Sequence, residues 1–219
     1  AKELLAPVLG AENDQENFWK VCQEQAPLSI RLRSMDSFTF KTNIAEPCEL
    51  KVSETCLHDC VIVEQENISR LFDHHGFREG RWTVEDLGAQ LAALSVAPEK
   101  QDVQKITEST EDYEIKPFWV LDACSAPGGK CAHWADYLKN SYYLGLDVST
   151  KKLKRLEENM ERLGLDRRVN TMLANKFWSY VFDSEETELT PEEEFLLAKI
   201  RDDSAHENKR VFNAVLVDA

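Results

Sequence analysis

The sequence predicts an α/β protein in which a mostly parallel sheet occupies the second half, preceded by a smaller α/β unit of short mixed elements. Three stretches carry this reading. Residues 118–130, FWVLDACSAPGGK, run apolar into Asp122 and turn at Pro127, Gly128 and Gly129; a helical segment and a second apolar run ending at Asp147 follow, which is a strand-loop-helix-strand unit. Residues 150–163 put Leu153, Leu156, Met160 and Leu163 on one helical face, with Ser149 or Thr150 as N-cap and Gly164 as the stop. Residues 28–33, LSIRLR, alternate with period two, the pattern of a half-buried strand.

In chain order, Phe18, Trp19, Val21 and Cys22 lie on a short amphipathic helix between the cap candidates Asn13 and Asp14 and a stop at Pro27. After strand 28–33, residues 52–55 and 61–64 read as short strands, with 68–72 leading to a turn at His74, His75 and Gly76. Residues 1–76 are therefore expected to form a small domain. Residues 77–116 read as a connector: a turn at Gly80, a brief extended piece at Trp82 to Val84, a helix from Asp86 to Leu94 packing through Leu87, Leu91 and Leu94, and an acidic linker. The parallel-sheet domain takes 117–219, with further strands at 169–173 and at 211–219, VFNAVLVDA, the last read as buried and ending in Asp218.

The chain has 219 residues, 42% hydrophobic and 30% charged, which is ordinary for a globular protein, and a net charge of −14. The acidity is local. Residues 180–208 carry ten acids against Lys199 and Arg201, and residues 99–116 six acids against three bases, so these segments, read as surface insertions, hold −11 of the −14. The remainder is nearly neutral, which leaves room for a basic face at Lys151, Lys152, Lys154, Arg155, Arg162, Arg167 and Arg168. No apolar run is long enough to span a membrane, and the first residues lack the pattern of a signal peptide. The start without Met suggests a processed or excised beginning. Six cysteines fit reduced thiols in a cytosolic setting, and the spacing of Cys48, Cys56, His58 and Cys60 does not match a zinc site.

The loop after residue 122 is suited to a nucleotide. Parallel strands present ligands at their carboxyl ends, Gly128 and Gly129 admit close approach, and a helix opening there aims N–H groups at anionic or carboxylate-bearing ligands. Asp147 ends the next strand, where an acid accepts hydrogen bonds from a ribose diol. The loop is neither a G-x-G-x-x-G fingerprint nor a G-x-x-x-x-G-K-[ST] loop, which argues against NAD and ATP.

Residues 122–130, DACSAPGGK, closely resemble the D-x-C-A-A-P-G-G-K-T loop of the Sun family of RNA 5-methylcytosine methyltransferases, most of all the bacterial 16S rRNA enzymes; Ser125 replaces Ala and Cys131 replaces Thr. Gly80, Val84, Asp86, Ala89 and Gln90 fall in step with the family's upstream G-x-x-x-V-Q-D-x-x-S-Q segment, with Glu85 where Gln is usual, and residues 27–33 resemble its P-x-x-x-R-x-N strand. The resemblance implies a Rossmann-like S-adenosylmethionine-dependent methyltransferase sheet, incomplete in this chain, preceded by a small RNA-recognition-like domain. It implies S-adenosylmethionine as cofactor, held by Cys124, Ser125, Ala126, Pro127, Gly128, Gly129, Lys130, Asp147, Asn175 and Asp218, with Asn175 standing where the family has Asp. It implies RNA, and rRNA in particular, as partner, no membrane, a monomer, and a cytoplasmic or nucleolar setting. The family's catalytic cysteines are expected beyond Ala219, so the chain is expected to be a fragment, inactive by itself. The alternative is a non-catalytic cofactor- or RNA-binding module.

Overall fold

The computed structural model describes residues 12–23, 27–64, 68–100, 117–182, 188–204 and 211–217. The elements in chain order are α1 (Glu12–Gln23), β1 (Leu28–Leu32), α2 (Ser37–Phe40, continued by one wider turn at Lys41–Ala45), β2 (Val52–Glu54), β3 (Cys60–Val63), α3 (Ser69–Asp73), α4 (His75–Arg78), β4 (Trp82–Val84), α5 (Leu87–Val96), β5 (Phe118–Asp122), α6 (Gly129–Tyr137), β6 (Ser141–Asp147), α7 (Thr150–Leu163), β7 (Val169–Leu173), α8 (Ala174–Val181), α9 (Pro191–Ser204) and β8 (Ala214–Leu216).

Two sheets result. The first is antiparallel in the order β2-β3-β1-β4 and the second parallel in the order β7-β6-β5-β8. The strand at Trp82 to Val84, read from the sequence as part of a connector, pairs with β1, with Ile30 opposite Val84 and Leu32 opposite Trp82, so the first sheet runs past residue 76. Its core gathers Ile30, Leu32, Phe40, Ile44, Val61, Leu71 and Trp82.

The parallel sheet is covered on both faces. Phe118, Val120 and Tyr143 pack against Ala93 of α5, Cys131, Ala132 and Trp134 of α6, and Leu153, Leu156, Met160 and Leu163 of α7. Trp119, Leu121, Leu144, Leu146 and Met172 meet Ala174 and Phe177 of α8 and Leu197 and Ile200 of α9. The acidic stretch expected to be a surface insertion thus supplies a core helix through α9, anchored also by the Trp119 indole N–H donating to Asp203 at 2.9 Å. Its acids occupy the outer face and hide the apolar one from a composition argument.

Three further expectations are corrected. β1 is buried from Ser29 to Leu32 rather than half-buried, because its polar side, Ser29 and Arg31, is covered instead of facing solvent. α5 buries Gln90 and Ala93 fully, while Leu87 and Leu94 are half-buried and Leu91 is 42% exposed, because small side chains let α5 approach α6, where the Trp134 indole N–H donates to the Ala93 carbonyl at 2.8 Å. β8 lies at the edge of the described sheet, with Leu216 buried and Val215 57% exposed, so only one side of this strand is covered.

The two sheets are joined by arginines. Asp136 on α6 accepts from Arg33 Nε and Nη2, each at 2.6 Å, and from Arg31 Nη1 at 2.8 Å; Arg31 Nε donates to Glu85 at 2.7 Å. Arg33 Nη1 also reaches the carbonyls of Gly80 and Leu163, both at 2.8 Å. Arg162 of α7 donates to the carbonyls of Phe77 and Trp82 and lies over the Phe77 ring. Burial pushes the Asp136 carboxyl up, but the Arg33 hydrogen bonds and the charges of Arg31 and Arg33 outweigh it and hold the pKa below its ordinary 3.8. The contribution of this depressed carboxyl is complete above the unfolded value and is lost as pH falls through the lower, folded one. Asp136→Asn is therefore expected to cost about 3 kcal/mol in urea unfolding at pH 7, since it leaves guanidinium groups unpaired. The gap between variant and wild type should shrink as pH falls below 3.8, and a gap independent of pH would contradict this account.

Candidate functional site

β5 ends at the buried Asp122, whose Oδ1 accepts the Cys124 N–H at 3.3 Å and starts the turn. The chain then crosses the end of β6, where the Ser125 N–H donates to the Leu146 carbonyl at 2.8 Å. Ala126-Pro127 is a cis peptide, and Gly128 takes the left-handed conformation, φ 101°, directly before α6. No side chain makes a cap hydrogen bond to that helix, so its amino-terminal N–H groups face the loop.

The two glycines have different roles, which corrects the expectation that both admit a ligand. A Cβ on Gly128 would lie 2.4 Å from Leu156 Cδ1 and 2.7 Å from Met160 Cε, so its missing side chain makes room for α7. A Cβ on Gly129 would meet only Glu85, at 3.6 Å, and this glycine opens onto a cleft.

The cleft measures about 230 Å³ and lies between the loop and the β4–α5 turn. Cys124, Ser125, Ala126, Pro127, Gly129 and Lys130 line it together. Glu85, Ala89, Asp122 and Leu216 line it too and were absent from the site read from the sequence. The available signal was positional: Glu85 follows a strand end, as the loop does. Asp86, also on the rim, caps α5 by accepting the N–H groups of Gly88 and Ala89.

Asp147 lies outside this cleft, at the end of β6 next to the strand residue on which Ser125 rests. It is 6% exposed, its Oδ1 accepts the Ser149 N–H at 3.1 Å, and Lys152 Nζ stands 3.6 Å from Oδ2. Asn175 is exposed in the first turn of α8, just after Leu173, the residue paired with Asp147. Asp218 lies outside the described residues. Of the arginines expected in a basic face, Arg162 is committed to the domain junction and Arg168 to the carbonyls of Ala135, Leu138 and Lys139 at the end of α6. Lys151, Lys154 and Arg155 remain on the exposed side of α7. Among the described residues no group of three or more His, Cys, Asp or Glu side chains is placed to hold a metal.

A parallel sheet flanked by helices on both faces, with an uncapped helix behind a Pro-Gly-Gly loop and an acid at the end of the neighbouring strand, is a Rossmann-like fold of the kind seen in methyltransferases. Comparison with solved structures agrees: the chain superposes on a methyltransferase homologue from Pyrococcus horikoshii with TM-score 0.58 at 15% identity, covering 80% of this chain and 52% of that one. It superposes on NSun6 from the same organism, solved with SFG, with TM-score 0.56 at 14% identity, covering 78% and 64%. Residues 110–185 match the sequence model of the family described as 16S rRNA methyltransferase RsmB/F. A curated relative, ribosomal RNA small subunit methyltransferase B of Pasteurella multocida, is 36% identical over 87 residues; these are 40% of this chain, and the chain spans 16% of that relative's length.

The loop geometry yields a prediction. Gly128→Ala must both strain a left-handed residue and displace Leu156, and should cost about 2 kcal/mol or more in urea unfolding. Gly129→Ala should change stability by less than about 1 kcal/mol, because its Cβ meets ordinary contacts at a helix start. The reverse order would show that Gly128 is not the glycine that α7 requires.

Proposed function

We propose that this protein is an S-adenosylmethionine-dependent RNA methyltransferase acting on carbon 5 of a cytosine, with rRNA as substrate and the cytoplasm as its setting. The observation that carries the reading is the loop at residues 122–130, laid over the end of β6 and opening an uncapped helix beside Asp147. The match over residues 110–185 and the curated rRNA methyltransferase relatives support it.

The residues fit such a donor. The amino terminus of α6 at Gly129 and the Lys130 side chain suit the carboxylate end of the cofactor, Asp147 suits a ribose diol, and Asn175 can hydrogen-bond at the adenine end. When bound, the cofactor supplies the methyl group. Attack on cytosine requires a thiolate. Cys131 is not that group: burial, with the nearby Asp122 charge, pushes its thiol well above the ordinary 9.0, and its side chain is fully enclosed. Cys124 is exposed on the cleft rim, and we assign it to the cofactor loop rather than to nucleophilic attack. The exposed Lys151, Lys154 and Arg155 on α7 are suited to RNA phosphates in a chain that is otherwise acidic.

Calorimetric titration tests the donor site directly. The chain should bind S-adenosylmethionine, and Asp147→Ala should weaken binding at least about tenfold by removing a charge-assisted pair of hydrogen bonds. Absence of binding to a folded sample, or an unchanged affinity in the variant, would refute the assignment.

A further inference from the structure

One wall of the 230 Å³ cleft holds an acceptor that the fold leaves unused. The Glu85 side chain is 3% exposed. Its Oε2 accepts from Arg31 Nε at 2.7 Å, while Oε1 is buried without a hydrogen-bond partner. His133 Nδ1 stands 3.5 Å away and is itself without a partner. Oε1 is 3.6 Å from where a Gly129 Cβ would lie, which places it behind the one loop glycine that faces the cleft. A buried carboxylate oxygen is costly unless a donor or a positive charge meets it.

The surrounding charge points the same way. Glu85, Asp86 and Asp122 line the cleft with Lys130, and Arg31 stands behind Glu85, which leaves three carboxylates against two cations. Asp86 is committed to capping α5. A small cleft with an excess of carboxylate favours a cationic occupant over a neutral one of the same shape.

We propose that Glu85 is a charge-selecting residue of the methyl-donor site, favouring the sulfonium form of the cofactor over its neutral thioether product. This rests on the donor reading above. Donor and product share the adenosine, the amino-acid end and nearly all their volume; they differ by one methyl group and one positive charge at sulfur. A carboxylate in the wall of the cleft acts on the ratio of the two affinities through that charge, whereas a residue that only shapes the cleft moves both together. The same preference eases loss of the neutral product after transfer.

The test is calorimetry of the full chain with S-adenosylmethionine and, separately, S-adenosylhomocysteine, on wild type, Glu85→Gln and Glu85→Asp. Gln retains an acceptor for Arg31 Nε and removes the charge. Its donor-to-product affinity ratio is expected to fall about tenfold, mostly through weaker donor binding, and Asp, which keeps the charge, should lower the ratio less. Partial unfolding does not confound this reading, because both ligands see the same folded fraction and the ratio is unaffected. An unchanged ratio in Glu85→Gln, or equal weakening of both ligands, would overturn the proposal and leave Oε1 as a partner of His133 alone. If neither ligand binds folded wild type, the donor reading itself fails, an outcome distinct from an unchanged ratio.

Discussion

One carboxylate organises the molecule. Asp136 sits on α6, the helix that opens at the loop, and binds two guanidinium groups that come from β1 of the other sheet. Arginine suits this position because its planar fork can hold a carboxylate and backbone carbonyls at once, as Arg33 does with Asp136, Gly80 and Leu163. The two walls of the cleft belong to different sheets, Glu85 to Ala89 on one side and the loop on the other. The charge network at α6 therefore ties together the elements that carry the two walls of the cleft.

What could be read from the sequence was local. The strand-loop-helix-strand unit and the helix 150–163 with its stop at Gly164 follow from periodicity and turn chemistry within about two dozen residues. The structure has Leu153, Leu156, Met160 and Leu163 buried as the spacing requires. What could not be read depends on distant partners. The alternation in β1 was informative about strand formation but silent on what covers its polar side, because Arg31 finds Glu85 at 54 and Asp136 at 105 positions along the chain. The leucines of α5 looked like a packing face until the approach of α6 favoured Ala93 and Gln90. In α9, charge masked an apolar stripe of Leu197 and Ile200.

The site divides in the same way. Six consecutive or near-consecutive loop residues meet in one cleft, as a loop motif should, since the motif is contiguous in the chain. Glu85 escaped notice because its meaning lies in the third dimension: one oxygen is held by an arginine from a neighbouring strand and the other is left over. Gly128 was assigned to the ligand because sequence cannot separate a glycine that makes room for a ligand from one that makes room for a helix. Only the positions of Leu156 and Met160 make that distinction.

The contact between Gly128 and α7 also joins two surfaces usually discussed apart. The inner side of α7, through Leu156 and Met160, is the mould against which the loop is cast. Its outer side carries Lys151, Lys154 and Arg155, and its far end is pinned to the first sheet by Arg162. The loop contact and the pin fall within about two turns of each other on this helix. The seating of α7 on the first sheet and the course of the loop are therefore linked through a single layer of side chains, Leu156 and Met160.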